Sequence, residues 1–139
     1  MAITAANDTP GLEFTDFEYL VKGSTTIYQG TLVVTSDGYA KSGVKATGLK
    51  ILGIAKSTVA NAGADGAEKI VCAGPVAQNG KRLLFKLAND ATDPVTQAHV
   101  GSSCYVFDNF TVTSLSTGST ACGTVRRVDS DGVWFELVS

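Results

Sequence analysis

The chain has 139 residues, of which 44% are hydrophobic and 17% charged, with a formal net charge of −2. That length buries about two thirds of the unfolded surface, while the charged share sits below the roughly 25% usual in soluble domains. The balance leaves no basic footprint for nucleic acid or an anionic membrane, and no run reaches the roughly 18 apolar residues of a spanning helix.

Scarce charge beside abundant Thr, Ser, Ala and Gly suggests a surface partly covered by something else, the alternative being that hydroxyls replace charges on solvent-facing strand positions. Met1 to Pro10 has neither a basic start nor an apolar run, so a cleaved secretion signal is not expected. Residues 1–11 show no period and taken alone read as a disordered terminus; the functional reading is a flexible arm that orders along a partner, adding a strand to a sheet edge. Residues 12–139 read as one β domain.

Between Leu12 and Lys22, the residues Leu12, Phe14, Phe17, Tyr19 and Val21 alternate with one slip near Thr15-Asp16, the pattern of a strand. Ile27 to Thr35 is a β run in which Gly30 predicts a bulge or tight bend. Asp37-Gly38 is a turn signal. Leu49 to Ala55, with Gly53 inside it, reads as a strand buried on both faces. Asn61 to Ala67 is too rich in Gly and Ala to be anything but loop. Glu68 to Ala73 alternates again, placing Ile70 and Cys72 on one face. Asn79-Gly80 is a hairpin signal expected to join residues 75–78 to 81–87.

Asp93 before Pro94 has the form of a helix start, and Gly101 that of a stop, so at most one short helix, of one or two turns, is expected near 94–100. Its His99 has a capping or surface role in this reading. From Val100 onward, apolar residues recur at every second position and Asn, Asp and Gly fill the turns. Val133, Phe135 and Leu137 share one face, and Trp134 and Glu136 share the other. The sum is about ten short strands: an all-β chain, folded as a compact antiparallel β-sandwich or small β-barrel.

No group of residues carries catalytic chemistry. Cys72, Cys104 and Cys122 form no Cys-x-x-Cys pair, and His99 is the single histidine, so neither a zinc site nor a nucleophile–base pair is expected. The thiols are expected buried and reduced, as small hydrophobes in a chain that folds in a cytoplasm. Nearly every acid sits in a turn, where backbone bonding explains it. Glu136, beside Trp134, is a strand acid without a second carboxylate. Asp129-Ser130-Asp131-Gly132 opens like a calcium loop but lacks the downstream ligands. Trp134, Tyr39 and Tyr105 leave a sugar-stacking reading open beside the plainer one of core or subunit contact. The expectation is a non-enzyme without cofactor or metal.

A resemblance enters at Tyr28-Gln29-Gly30-Thr31-Leu32-Val33, Asp37-Gly38-Tyr39-Ala40 and Gly53-Ile54-Ala55. It continues through Ala64-Asp65-Gly66-Ala67 and Val100 to Val106, and through Asp108, Thr111-Val112 and Ala121 to Val125. It closes at Val128-Asp129-Ser130-Asp131-Gly132-Val133-Trp134. Each motif is only turn glycines and strand apolars, and their order and spacing carry the likeness. The chain resembles the capsid cement, or head decoration, proteins of tailed bacteriophages and prophages.

The resemblance implies a small β-rich, β-tulip-like domain with an extended N-terminal arm, bound as a trimer to the major capsid protein on the outside of the virion head. It implies no enzymatic activity. An alternative is another virion β module, associated with the tail or a fibre. Ile3, Thr4, Thr9 and Pro10 of the arm, with Trp134 and Glu136, are the residues expected to meet the capsid or a second subunit. The stretch from Gly74 to Leu87 is longer than the family implies.

Overall fold

The computed structural model describes residues 5–6, 16–74 and 83–138. Among these, twelve strands and one 3-10 turn follow in order: β1 (Asp16–Leu20), β2 (Thr25–Ile27), β3 (Leu32–Thr35), β4 (Lys41–Ser42), β5 (Lys50–Ala55) and β6 (Val59–Asn61). They continue as β7 (Lys69–Ala73), β8 (Phe85–Asn89), the turn Gln97–His99, β9 (Ser103–Val106), β10 (Thr111–Thr113), β11 (Ala121–Asp129) and β12 (Gly132–Leu137). The all-β expectation holds.

The strands form a closed barrel in the order β10-β8-β12-β11-β9, a five-stranded sheet β1-β7-β5-β3-β4 and a ribbon β2-β6. Between the named strands pairing is antiparallel except that β8 runs parallel to β10, Ala88 beside Thr111 and Asn89 beside Val112. Parallel neighbours need a crossover connection, here residues 90–110. The five-stranded sheet also curls toward closure. Ala40 donates its N–H to the Leu20 carbonyl (2.8 Å) and Lys22 donates to the Ala40 carbonyl (2.9 Å), so the sheet's two outer strands meet at one corner.

Two apolar cores result. The larger fills the barrel with Leu87, Val95, Cys104, Val106, Val112, Cys122, Val125, Val133, Phe135 and Leu137, joined by Leu32, Val34, Leu49 and Ile54. The smaller holds Val21, Ile27, Val33, Ala40, Ala55, Ile70 and Cys72 inside the curled sheet. Strand β3 is buried along its whole length because successive side chains feed opposite cores. Strand β5 does the same with Ile54 and Ala55. These two strands are a wall shared by both halves.

Gly53 makes the wall possible. It lies at φ +142°, beside a register shift between Val33 and Val34, and a Cβ there would lie 2.2 Å from the Ala73 carbonyl oxygen. The bend expected at Gly30 is also present, at φ +80°, and is tight enough to divide the 27–35 run into β2 and β3.

One local reading needs correction, the start of the short helix. The short helix is a single 3-10 turn capped by Thr96 instead of Asp93. Asn89 explains why: its side-chain amide donates to the Val95 carbonyl and its oxygen accepts the Val95 N–H, both at 2.8 Å, which occupies the backbone at Val95 and leaves Thr96 extended as the cap. Asp93 serves through its carbonyl, which accepts the hydroxyls of Thr113 and Ser114. The Asn79-Gly80 hairpin lies outside the described residues, and the strands flanking it, β7 and β8, belong to different sheets.

Candidate interaction surface

Trp134 stands on the outer wall of the barrel, in a row formed by three adjacent strands. Lys86 of β8 is its register partner on one side and Arg127 of β11 on the other. The Lys86 ammonium lies 5.8 Å and the Arg127 guanidinium 5.6 Å from the indole centroid, both within cation–π range. The indole N–H donates to Asp129 Oδ2 at 3.0 Å. Arg127 grips the same carboxylate with Nε and Nη2, each at 2.9 Å, in the fork geometry that suits guanidinium and carboxylate. Lys86 closes the group by pairing with Asp131 at 2.6 Å.

The electrostatics follow from these contacts. The Arg127 hydrogen bonds, with the Trp134 N–H, hold the Asp129 carboxyl below the usual carboxylate range. Lys86 does the same for Asp131. Both acids of Asp129-Ser130-Asp131-Gly132 are therefore engaged by cations, Arg127 of β11 and Lys86 of β8, and the segment is the tight turn joining β11 to β12.

Glu136, two residues along β12, is half-buried and accepts from Arg126 Nε at 2.7 Å. Arg126 sits at the β-bulge between Val125 and Arg127, which turns it toward the outer face. The outward side of β12 is thus a fixed patch of one indole, three cations and three carboxylates. Side chains already held in place lose little entropy on contact with a partner, and Trp and Arg are the residues that anchor such contacts most often.

Trp134 and Glu136 are brought together as expected. Ile3, Thr4, Thr9 and Pro10 lie outside the described residues. Sequence reading missed Lys86, Arg126, Arg127, Asp129 and Asp131 as parts of the patch. The two-residue turn at Ser130-Asp131 fixes Arg127 opposite Trp134 and was a signal available in the sequence, whereas Lys86 arrives from a distant strand. Tyr105 lies on β9, with β11 between it and β12, and Tyr39 follows the turn before β4.

Elsewhere the polar groups do structural work. Asp90 is buried, and its carboxylate accepts from the Thr92 and Asp93 N–H groups and from the Thr113 hydroxyl at 2.9 Å. Burial opposes its charge, but these donors hold its pKa below the ordinary value. His99 Nδ1 accepts the Thr96 N–H at 2.9 Å, the capping role expected of it. Cys72, Cys104 and Cys122 are free and buried, and burial pushes the Cys72 thiol up to about 12. Among the described residues, no group of three or more His, Cys, Asp or Glu is placed to hold a metal ion.

Comparison with family models, with curated proteins and with solved structures yields no match to this chain.

Proposed function

We propose that this chain is a capsid cement, or head decoration, protein of a tailed bacteriophage or prophage. It is made in the bacterial cytoplasm and binds the major capsid protein on the outer surface of the head as a homotrimer, without catalysis or cofactor. The observation that carries the reading is the order of the turn-and-strand motifs from Tyr28 to Trp134. Several of them coincide with positions the fold depends on: Gly53 in the shared wall, Gly123 against β12, and the Asp129–Gly132 turn beneath Trp134.

The physical requirements of the role suit this chain. Reinforcing a shell asks for buried contact area between capsomers, not chemistry. A trimer on a repeating lattice multiplies a modest interface through avidity. The low charge content matches a surface partly given to contacts, and the fixed patch around Trp134 is a candidate for one of them. Residues 1–11 supply the arm.

Mass spectrometry of purified particles tests the reading, with imaging to locate the protein. Presence on the head lattice supports it, absence from particles overturns it, and density on the tail or a fibre favours the alternative virion role. A chain lacking residues 1–10 is expected to fold and yet occupy heads less fully than the intact chain. Light scattering at micromolar concentration is expected to give a trimer; a monomer contradicts that part.

A further inference from the structure

The barrel contains a pair of thiols for which no role has emerged. Cys104 on β9 and Cys122 on β11 are both fully buried, with their sulfurs 3.7 Å apart. The placement comes from an irregularity in the strand pairing. The β9–β11 register shifts between Ala121 and Gly123, so Cys122 is the extra residue and lies beside Cys104, whose direct partner is Gly123. Gly123 fixes the spacing from the other side. A Cβ on it would lie 2.1 Å from the Glu136 carbonyl oxygen and 2.6 Å from the Phe135 ring, so β12 presses closely against the bulge. Cys72, in the smaller core, belongs to a different cluster.

We propose that Cys104 and Cys122 are a modification site: a dithiol that a small peroxide converts to a cross-strand disulfide, stapling β9 to β11. A disulfide needs sulfurs about 2.05 Å apart and side chains that already face each other on neighbouring backbone. The 3.7 Å gap lies between residues of two strands that are already paired, so closing it needs no change of strand order.

The chemistry balances with the peroxide as oxidant. One thiol gives up its proton, and its thiolate attacks the O–O bond. An S–O bond forms, the O–O bond breaks, and the departing hydroxide takes the proton to become water. The second thiol then gives up its proton and attacks that sulfur: the S–S bond forms, the S–O bond breaks, and the departing hydroxide takes that proton as a second water. Two thiols are oxidised and one peroxide is reduced to two waters.

The reaction is slow by construction. The hydrogen bond with Cys104 and burial both raise the pKa of Cys122, so the thiolate is scarce at neutral pH. Full burial further restricts the peroxide to moments when the barrel opens. Such a pair stays reduced where peroxide is scarce and closes over long exposure to an oxidising medium.

The test uses the full chain and a Cys72→Ala variant, incubated with dilute hydrogen peroxide in mild urea, then unfolded and alkylated. Supporting results are loss of two alkylatable thiols, a Cys104–Cys122 cross-linked peptide and a melting temperature higher by on the order of 5–10 °C. The rate is expected to rise with pH. Cys104→Ser, which retains Cys122, is expected to form no intramolecular bridge. All three thiols remaining alkylatable after prolonged treatment overturns the proposal. So does a bridge through Cys72, or a disulfide that lowers the melting temperature.

Discussion

A methyl group has no room at position 53 or 123. At each, a Cβ would stand about as far from a carbonyl oxygen as a covalent second neighbour, 2.2 Å from Ala73 and 2.1 Å from Glu136, and backbone cannot swing aside as a side chain can. Gly53→Ala and Gly123→Ala are each expected to cost more than about 2 kcal/mol in urea unfolding. Gly118→Ala is the control. Its φ of +72° carries a left-handed backbone penalty and no steric one, since the nearest atom is a Lys45 side-chain carbon at 3.9 Å, so about 1 kcal/mol is expected. Sequence reading marked Gly53 only as a glycine within a strand, because the Ala73 carbonyl approaches from a strand that pairs through the tertiary fold. The carboxylates give a second expectation at this scale. Asp37, Asp90, Asp129 and Asp131 all have folded pKa values below the ordinary one. A depressed folded pKa means stability that is complete above the usual carboxylate range and lost as pH falls through the folded values. Thermal melts are expected to hold level down to about pH 5 and to drop below about pH 4, with a shallower drop in Asp90→Asn.

Strand β1 is half-partnered, and its register says which half. Val21 donates to the Glu68 carbonyl, so Phe17 and Tyr19 also direct their N–H and C=O groups toward β7. Asp16 and Glu18 direct theirs to the open side, where among the described residues no strand lies alongside. Hydrogen exchange is expected to alternate accordingly, with slow amides at Phe17, Tyr19 and Val21 and fast ones at Asp16 and Glu18. Uniform protection along β1 would show that its outer edge is covered in solution. Alternation of side chains was legible for the elements that matter most: Ile70 and Cys72 turn inward on β7, as do Val133, Phe135 and Leu137 on β12. Partner choice was not. A run such as 85–89 carries its apolar period in the chain, but nothing local says that it runs parallel to β10 and antiparallel to β12. The helix start at Asp93-Pro94 misled for a related reason, since Asn89, several residues upstream, fixes the backbone at Val95 before a helix can begin.

On the scale of the whole molecule, the two cores are bound together by β3 and β5. Leu32 and Val34 face the barrel while Val33, between them, faces the curled sheet. Neither core keeps its wall if the other melts, so the chain is expected to unfold in one step. Fluorescence of Trp134 reports the barrel and thiol accessibility of Cys72 reports the smaller core. Their urea transitions are expected to coincide, and Leu32→Ala and Ile70→Ala are each expected to shift both by about 2–5 kcal/mol. Separate midpoints for the two probes contradict a shared wall. The candidate surface belongs to this scale too. Trp134 and Glu136 stood out as outward residues on β12, but the patch around them draws on β8 and β11 and exists only when the barrel is closed.

The wall has a consequence for synthesis. Leu32, Val34, Leu49 and Ile54 leave the ribosome early, yet the side chains that cover them lie largely between Leu87 and Leu137. For most of translation the nascent chain carries a water-facing apolar strip on strands inclined to pair with others of their kind. A ribosome stalled near residue 80 would hold such a strip uncovered. The C-terminal strands are thus what keeps the first half of the chain from sticking to its neighbours.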